Sequence, residues 1–541
     1  MARLSGARAA EAGSNREQAP RQGSGDLTGL ARRGVLSLGG AGLSAVLNLL
    51  LIVVVTRVAG KVTAGYLFSA TSLVVVLEGL CALGTVTGVI YFIAGSRALG
   101  RHQLVGPVIR TALVPVLVLS VTVSLVLLVL APTVGAHLGG SGSSEPALYL
   151  RLAALFLPFA VVFDVLVAVS QGFHTMTPTV ALEKVGRPLL QLVLLGAALA
   201  MGLTDLLPVA WMAPYVVVLT VAALWVRALV RTAPQSSASS QDSAVPDGSD
   251  PGEHALTGLS AQGLDRRAFW SYTLPRGLAA AAQISLQRVD IVLVALYLGA
   301  APAAVYTAAT RFVVLGQVGS QAVALAVQPK LSELMARRDV ATTRLVYRTS
   351  TAWVVAVTWP IHLLVMLLSP LLLRVFGSGY EDGRRVMVIL ALAMLVATGC
   401  GMVTTLLLMS GRSRENLLNV VVALVTNLSL NVVLIPRVGI FGAGIAWAAA
   451  IVLSNLLPLW QVRHAFGLDP FGRATLAVAA LALGAFVPLG LLAWLLSGQT
   501  VVVLGALAVS CCLYALGVFW LRHLLELGDL VQSVRRRVAA R

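Results

Sequence analysis

The chain has 541 residues, of which 58% are hydrophobic and only 11% are charged, and its mean hydropathy is +0.89. Soluble domains carry about 25% charged residues, so the composition excludes a soluble domain and predicts a polytopic membrane protein. The net charge of +17 comes mainly from arginine. These basic residues are spread through short loops rather than gathered with aromatic side chains on one face. This distribution is typical of the cytoplasmic loops of membrane proteins and argues against nucleic-acid binding.

The first half of the chain reads as a tail, six apolar spans and a linker. Residues 1–30 are polar and basic, with no apolar run and cleavage site, and predict a disordered cytoplasmic tail. Residues 31–231 predict an N-lobe of six membrane spans, at 34–56, 64–94, 105–131, 147–170, 178–201 and 208–230. The Ser-, Asp-, Gly- and Pro-rich stretch at 232–265 predicts a disordered cytoplasmic linker.

The second half repeats this pattern and extends it. Residues 266–464 predict a C-lobe of six spans, 465–523 two further spans, and 524–541 a basic cytoplasmic tail. The spans lie at 268–298, 302–328, 345–368, 386–409, 416–435, 440–462, 474–497 and 500–521. The prediction is an all-α membrane protein of about fourteen transmembrane helices, with two pseudo-symmetric lobes plus two C-terminal helices. With both termini inside, most of the 39 Lys and Arg residues fall on the cytoplasmic side, as the positive-inside rule requires.

The span at 268–298 carries polar side chains that hydrocarbon does not tolerate. Gln283, Gln287 and Asp290 follow one another on a single helical face, and Arg288 lies one residue off it. Arg288, and Arg311 in the next span, each lie about eleven residues from the turn near Gly299, roughly 16 Å below the same surface. Two guanidiniums at one depth on adjacent helices predict a polar site near the membrane midplane, where internal repeats place their substrate.

Other polar residues extend this predicted site. Asn48 in the first span, Glu78 in the second and Gln317 in the eighth suit a water-filled cavity between the lobes. An alternative interpretation is that Arg288 and Arg311 only neutralise Asp290 and Glu78. Arg57 and Lys61 predict either a solvated loop or a role in substrate release.

Asp164 stands isolated in the apolar fourth span. It is either a coupling-ion site or a protonated group that hydrogen-bonds locally.

No catalytic motif accompanies these residues. Gly60-Lys61 is followed by Val62, so it is not a phosphate-binding P-loop, and no HExxH zinc motif occurs. The four cysteines all lie inside apolar segments and read as core residues. The sequence therefore predicts a transporter rather than an enzyme, without catalytic residues, metal site or cofactor. It leaves open whether Na⁺ or H⁺ drives the cycle.

Several stretches resemble one family. RRGVLSLGGAGLSAVLNLLLIVVVTRVAGKVTAGYLF, QRVDIVLVALYLGAAPAAVYTAATR, LLRVFGSGYEDG and NVVLIPRVGIFGAGIAW are similar to the polysaccharide flippases of the multidrug/oligosaccharidyl-lipid/polysaccharide exporter superfamily. The resemblance implies two six-helix lobes, alternating access and an undecaprenyl-diphosphate-linked oligosaccharide as substrate. It further implies that cationic residues of the central cavity hold the diphosphate. Together with the polar residues of the spans, it predicts substrate binding by Arg288, Arg311, Gln283, Gln287, Asp290, Glu78, Asn48 and Gln317. Asp164 is the coupling-ion candidate because it stands alone in an apolar span.

The implied setting is the bacterial cell membrane. The implied partners are the bilayer, the lipid-linked glycan, and the polymerase and glycosyltransferases of cell-surface polysaccharide synthesis. A lipid II flippase is the main alternative, although those proteins place arginines inside the first helix and this chain has none at 34–56. A multidrug antiporter would carry an acid there. A scaffold for a polysaccharide-synthesis complex is the non-transport alternative.

Overall fold

The chain folds almost entirely into α-helices. The structure, a computed structural model, describes residues 23–139, 145–232, 259–260, 263–312, 315–496 and 500–525. The helices of the N-lobe are α1 (Gly23–Val58), α2 (Gly60–Cys81), α3 (Thr85–Ala98), α4 (Val105–Gly139), α5 (Glu145–Leu155), α6 (Leu157–Gly172), α7 (Arg187–Ala200), α8 (Leu207–Met212) and α9 (Pro214–Thr232). Short 3₁₀ turns at His102–Leu104 and Thr204–Leu206 and a π-helix at Thr179–Gly186 connect them.

The second half begins with a small antiparallel pair, β1 (Leu259–Ser260) and β2 (Gly263–Leu264). Its helices are α10 (Arg266–Leu298), α11 (Ala300–Arg311), α12 (Leu315–Ala336), α13 (Val340–Leu367), α14 (Ser369–Arg374), α15 (Arg384–Gly399), α16 (Val403–Met409), α17 (Ser413–Val438), α18 (Ile440–Phe466), α19 (Arg473–Leu496) and α20 (Thr500–Trp520). Further 3₁₀ turns lie at Glu381–Gly383 and Leu521–His523.

The predicted boundaries of the polar segments differ in part from the structure. Helix α1 begins at Gly23, so residues 23–30 are helical rather than part of a disordered tail. The β1–β2 pair lies inside the predicted linker. The rest of the predicted tails and linker, at 1–22, 233–258, 261–262 and 526–541, falls outside the described residues.

The all-α membrane class is confirmed, but the count of fourteen spans is not. Within the described ranges, 11 helices are long and apolar enough to cross a membrane, or up to 12 if α15 and α16, bent by 44°, form one span. The two predicted spans missing from this set are 178–201 and 302–328. The first begins as the π-helix, and the second is divided between α11 and α12. Both hold charged side chains of the site described below.

The two C-terminal helices pack on α13 of the C-lobe. The hydroxyl of Tyr514 on α20 donates to the carbonyl of Ala356 on α13 at 2.8 Å, and its ring lies 5.8 Å from that of Phe486 on α19. Apolar side chains of α13, α19 and α20 complete a separate cluster around them. This pair of helices therefore packs on the C-lobe.

The lobes meet where α2 and α3 pack against α10 and α11. At one end, a Cβ at Gly65 would clash with the carbonyl of Ala300. Further along, Gly84 and Gly277 face each other so closely that neither backbone would admit a side chain. Gly84 also takes φ +75°, which ends α2 and lets α3 start in a new direction. The absence of side chains at these points lets the two lobes approach at the level of their backbones.

Candidate functional site

Two arginines of the C-lobe, Arg288 on α10 and Arg311 at the end of α11, lie half-buried beside the seam. Their charges are close enough to repel each other. Arg311 donates from Nε to the carbonyl of Thr307 at 3.2 Å. None of the ion pairs formed by the described residues involves either guanidinium. The two predicted arginines are therefore together, and neither forms an ion pair with a carboxylate of the described residues.

Asp290 is occupied by neutral donors. Its carboxylate accepts hydrogen bonds from the Tyr306 hydroxyl at 3.0 Å, from Asn431 Nδ2 at 2.7 Å and from Asn427 Nδ2 at 3.5 Å. The side chain is 2% exposed. The suggestion that Asp290 neutralises Arg288 is therefore wrong. The structure places Asp290 inside the C-lobe rather than in the open part of the site.

Glu78 of α2 and Asp164 of α6 lie close enough for their carboxyl groups to interact. Asp164 is therefore not isolated, because an acidic side chain from a different span lies near it. Glu78 is buried, and Asp164 is half-buried. The N-lobe thus holds two neighbouring carboxyl groups, with the charge of Glu183 near both of them.

Arg187 is a site residue that the sequence analysis missed. It is the first residue of α7 and donates through Nη1 to the hydroxyl of Tyr215 on α9, with its guanidinium 5.0 Å from the Tyr215 ring centroid. Its charge acts on Glu78 and Asp164 in its own lobe and repels Arg288 across the seam. A signal existed, since Arg187 is a charged residue inside the predicted span 178–201.

The segment before Arg187 is a π-helix, Thr179–Gly186. Such i→i+5 turns are rare in helices and occur frequently at functional sites. This one carries Glu183 and Lys184, which form an ion pair at 2.6 Å. The π-helix therefore ends directly before Arg187.

The remaining predicted residues all carry side-chain amides: Gln283, Gln287, Gln317 and Asn48. Gln283 and Gln287 are exposed on α10, and Gln317 is half-buried on α12. Asn48 donates to the carbonyl of Ser44 in its own helix at 2.7 Å. Gln283 and Gln287 share α10 with Arg288, whereas Asn48 has its amide hydrogen-bonded within α1.

A further contact joins the lobes at their ends farthest from the predicted linker. Arg57, at the end of α1, donates from Nε to the carbonyl of Val375 at 2.7 Å and from Nη2 to that of Arg374 at 2.8 Å. Nearby, the ammonium of Lys61 lies 5.7 Å from the ring centroid of Tyr380. We call the pair of Arg57 hydrogen bonds the outer contact. Both carbonyls lie at the end of α14, where helix geometry leaves acceptors available.

The described residues contain no group of three or more His, Cys, Asp and Glu side chains placed to hold a metal ion. The chemistry that the arrangement offers is instead electrostatic. It consists of guanidiniums on both sides of a seam between two helical lobes, none of them in an ion pair among the described residues, near the carboxyl groups of Glu78 and Asp164. An anion with more than one charged group fits such a site best.

Residues 275–433, which lie in the C-lobe, match the MatE family model. No curated protein matches the chain.

Solved structures extend the likeness over both lobes. The lipid II flippase MurJ, in an inward closed conformation, matches 91% of this chain and 99% of its own, with a TM-score of 0.69 and 12% identity. An inward-facing multidrug resistance MATE transporter covers 78% of this chain and 94% of its own, with a TM-score of 0.61 and 16% identity. A MOP superfamily transporter from Pyrococcus furiosus covers 81% and 95%, with a TM-score of 0.53 and 16% identity. At these identities the likeness establishes the fold.

Proposed function

We propose that the protein is a flippase that moves a polyprenyl-diphosphate-linked oligosaccharide from the cytoplasmic to the outer leaflet for cell-surface polysaccharide synthesis. The observation that carries this proposal is the pair Arg288 and Arg311, neighbouring guanidiniums to which the described residues supply no ion-pair partner. Charges inside a membrane protein are costly unless a partner compensates them. A diphosphate is such a partner, since guanidinium binds phosphate oxygens through two parallel hydrogen bonds.

The polar side chains around the arginines suit the remainder of the head group. Gln283 and Gln287 are exposed on the same helix and offer amide donors and acceptors to sugar hydroxyls. We assign the same role to Gln317 and Asn48. In this mechanism the head group crosses between the lobes while the polyprenyl chain stays in the bilayer, so no glycan has to enter hydrocarbon.

Alternating access would expose the site to each side in turn. The outer contact joins the lobes at one end, which suits a state that loads substrate from the opposite, cytoplasmic end. Rocking of the lobes would then break the Arg57 hydrogen bonds and open the site outward. We place both termini in the cytoplasm and the protein in the bacterial cell membrane, where the polymerase and glycosyltransferases of the same polysaccharide would be its partners.

The energy source is part of the proposal. Asp164, together with Glu78, is the candidate for binding a coupling cation, either Na⁺ or H⁺. The carboxyl pair lies near Arg187 and, through Glu78, near Arg288, so a change in its charge would be felt at the anion site.

A lipid II flippase is the second candidate, because the MurJ fold covers 91% of the chain. The oligosaccharide flippase fits better than the lipid II flippase. Lipid II flippases place arginines inside the first helix, and residues 34–56 of this chain contain none. The multidrug antiporter alternative fits less well, because unpaired guanidiniums repel cationic drugs.

The test measures lipid-linked oligosaccharide on each leaflet of cells that carry single variants. Arg288→Ala and Arg311→Ala should each cause the substrate to accumulate on the inner leaflet while the protein still reaches the membrane. Arg→Lys at either position should keep partial activity, because the charge remains and only the bidentate geometry is lost. Normal flipping by both Ala variants would exclude the diphosphate site. Accumulation of lipid II instead of a glycan repeat unit would select the second candidate.

A further inference from the structure

We propose that the β1–β2 pair at the end of the linker is a latch that holds the two lobes together at the cytoplasmic end of the seam. The pair is bound by an arginine of the N-lobe and continues directly into α10 of the C-lobe. Opening the site toward the cytoplasm therefore requires that the pair detach from the N-lobe. This inference rests on the proposed function only for alternating access, and it holds whichever substrate is carried.

The strand pair is too short to be stable by itself. Leu259 pairs with Leu264, and Ser260 pairs with Gly263. An isolated two-stranded pair is at best marginally stable in water. Leu259 is 1% exposed and belongs to the largest apolar core, and Leu264 packs against the same core. The body of the protein therefore holds the strand pair in place.

Arg101 of the N-lobe binds the strand pair through a main-chain carbonyl. Its Nη1 donates to the carbonyl of Leu259 on β1. The turn that ends α3 fixes the position of this arginine. The Arg101 amide donates to the carbonyl of Ser96 at 2.7 Å, and Gly100 takes φ +67°. This is the Schellman arrangement that ends many helices, so the guanidinium reaches the linker from an ordered turn.

The strand pair cannot move independently of α10. Only Asp265 separates β2 from the first residue of α10. Its carboxylate accepts a hydrogen bond from the amide of Arg267 at 2.8 Å, which satisfies one of the free amides of the first helical turn. The hydrogen bond from Arg101 therefore connects the N-lobe to the first turn of the C-lobe.

Two aromatic contacts continue this connection along the seam. The ring of Phe269 on α10 lies 5.1 Å from that of Phe92 on α3. The ring of Tyr272, also on α10, stacks on that of Tyr91 at 4.3 Å. Such ring pairs attract each other beyond the area that they bury. The strand pair lies at the end of this row nearest the linker, so separation of the lobes from the cytoplasmic side begins there.

The latch and the outer contact act at opposite ends of the seam. In both, an arginine of the N-lobe donates to main-chain carbonyls of the second half of the chain. The donor is Arg101 in the latch and Arg57 in the outer contact. Alternating access opens one end at a time, so each contact stabilises the states in which its own end is closed. Loss of the latch should therefore shift the population toward the inward-open state, and loss of the outer contact should shift it outward.

The experiment measures the distance between the cytoplasmic ends of the lobes by spin-label spectroscopy of the purified full chain in lipid. The labels are attached at Thr177→Cys and Ser413→Cys, two exposed positions, in a chain whose four cysteines are replaced. Arg101→Ala should raise the population with the longer distance about fivefold, the factor that one hydrogen bond of ordinary strength is worth. Arg101→Lys keeps a donor and should show a smaller change.

Three further variants give the comparison. Arg110→Ala, at an exposed arginine on α4, is the matched control and should show the distances of the parent protein. Leu259→Ser removes the buried side chain of the strand pair without changing Arg101, and should act in the same direction as Arg101→Ala. Arg57→Ala should lower the population with the longer distance. A general loosening of the protein would not produce these opposite shifts.

Two results would contradict the latch while leaving the proposed function intact. Distances that stay unchanged in Arg101→Ala and Leu259→Ser but shift in Arg57→Ala would mean that the lobes rock without a latch. A smaller population with the longer distance in Arg101→Ala would mean that the strand pair stabilises the open state. A single distance in the parent protein and in every variant would instead contradict alternating access, and with it the proposed function.

Discussion

In the C-lobe the carboxylate of Asp290 is surrounded by neutral donors, whereas in the N-lobe the carboxyl groups of Glu78 and Asp164 lie near each other and near Arg187. The C-lobe therefore holds its acid with hydrogen bonds that leave Arg288 and Arg311 free. The N-lobe keeps its acids and its arginine within reach of one another. We infer that the C-lobe supplies positive charge that does not change during the cycle, and that the N-lobe supplies charge that can change with a cation.

The largest effect on transport is expected at Arg288 of the C-lobe, tested alone and together with Asp290. Arg288→Ala should lower flipping by about tenfold to a hundredfold, the range for hydrogen bonds to charged groups. The double variant Arg288→Ala with Asp290→Ala should stay inactive, because Asp290 is not the counter-ion of Arg288. The leaflet assay for lipid-linked oligosaccharide measures both. Recovery of activity in the double variant would mean that the arginine serves only to neutralise Asp290.

The next effect concerns stability rather than transport. Asp290→Ala leaves the Tyr306 hydroxyl and the Asn431 amide without their acceptor, and should cost about 2 kcal/mol. Tyr306→Phe removes one donor and should cost less, near the average of about 0.6 kcal/mol for hydrogen bonds in membranes. Thermal unfolding of the purified variants gives the comparison. Arg288→Ala serves as the control and should not lower the unfolding temperature; a larger loss there than in Asp290→Ala would reverse the assignment of roles.

A smaller effect is expected at the outer contact. Arg57→Ala removes two hydrogen bonds between the lobes and should raise the outward-open population several-fold, at about 1 kcal/mol for the pair. A cysteine at Gln287, in a chain without other cysteines, reports this state by its reaction with an impermeant maleimide added outside. Arg437→Ala, another exposed arginine on the C-lobe, should leave the labelling rate unchanged. Equal rates in all three proteins would show that the outer contact does not hold the lobes together.

Substitutions of Glu78 and Asp164 should change the folding stability least. They should nevertheless change how transport depends on the coupling cation. Asp164→Asn and Glu78→Gln each keep the shape and the hydrogen-bonding capacity of the side chain, so we expect stability within about 1 kcal/mol of the parent protein. Either change should abolish the dependence of transport on pH or Na⁺. Ion dependence that survives in both variants would assign the pair a structural role.

The sequence predicted the fold well because long apolar spans and charged loops follow directly from the energetics of the bilayer. It also placed Arg288 and Arg311 at one depth, because each lies about eleven residues from the same turn near Gly299. It failed at Asp164, whose neighbour Glu78 lies two spans away, because periodicity says nothing about contacts between distant helices. Arg187 was missed for a related reason: the sequence of the span 178–201 does not show that this side chain contacts Tyr215 of another helix.

The outer contact has a consequence for how this protein can change in evolution. Arg57 donates to two main-chain carbonyls of the opposite lobe and, among the residues that the structure describes, to none of its side chains. The residues at positions 374 and 375 can therefore be exchanged without loss of the acceptors. Correlated substitutions, which reveal contacts between side chains, will therefore not report this interaction in an alignment. Its trace should be one-sided: an invariant arginine facing a variable loop of constant length, where insertions are selected against and substitutions are not.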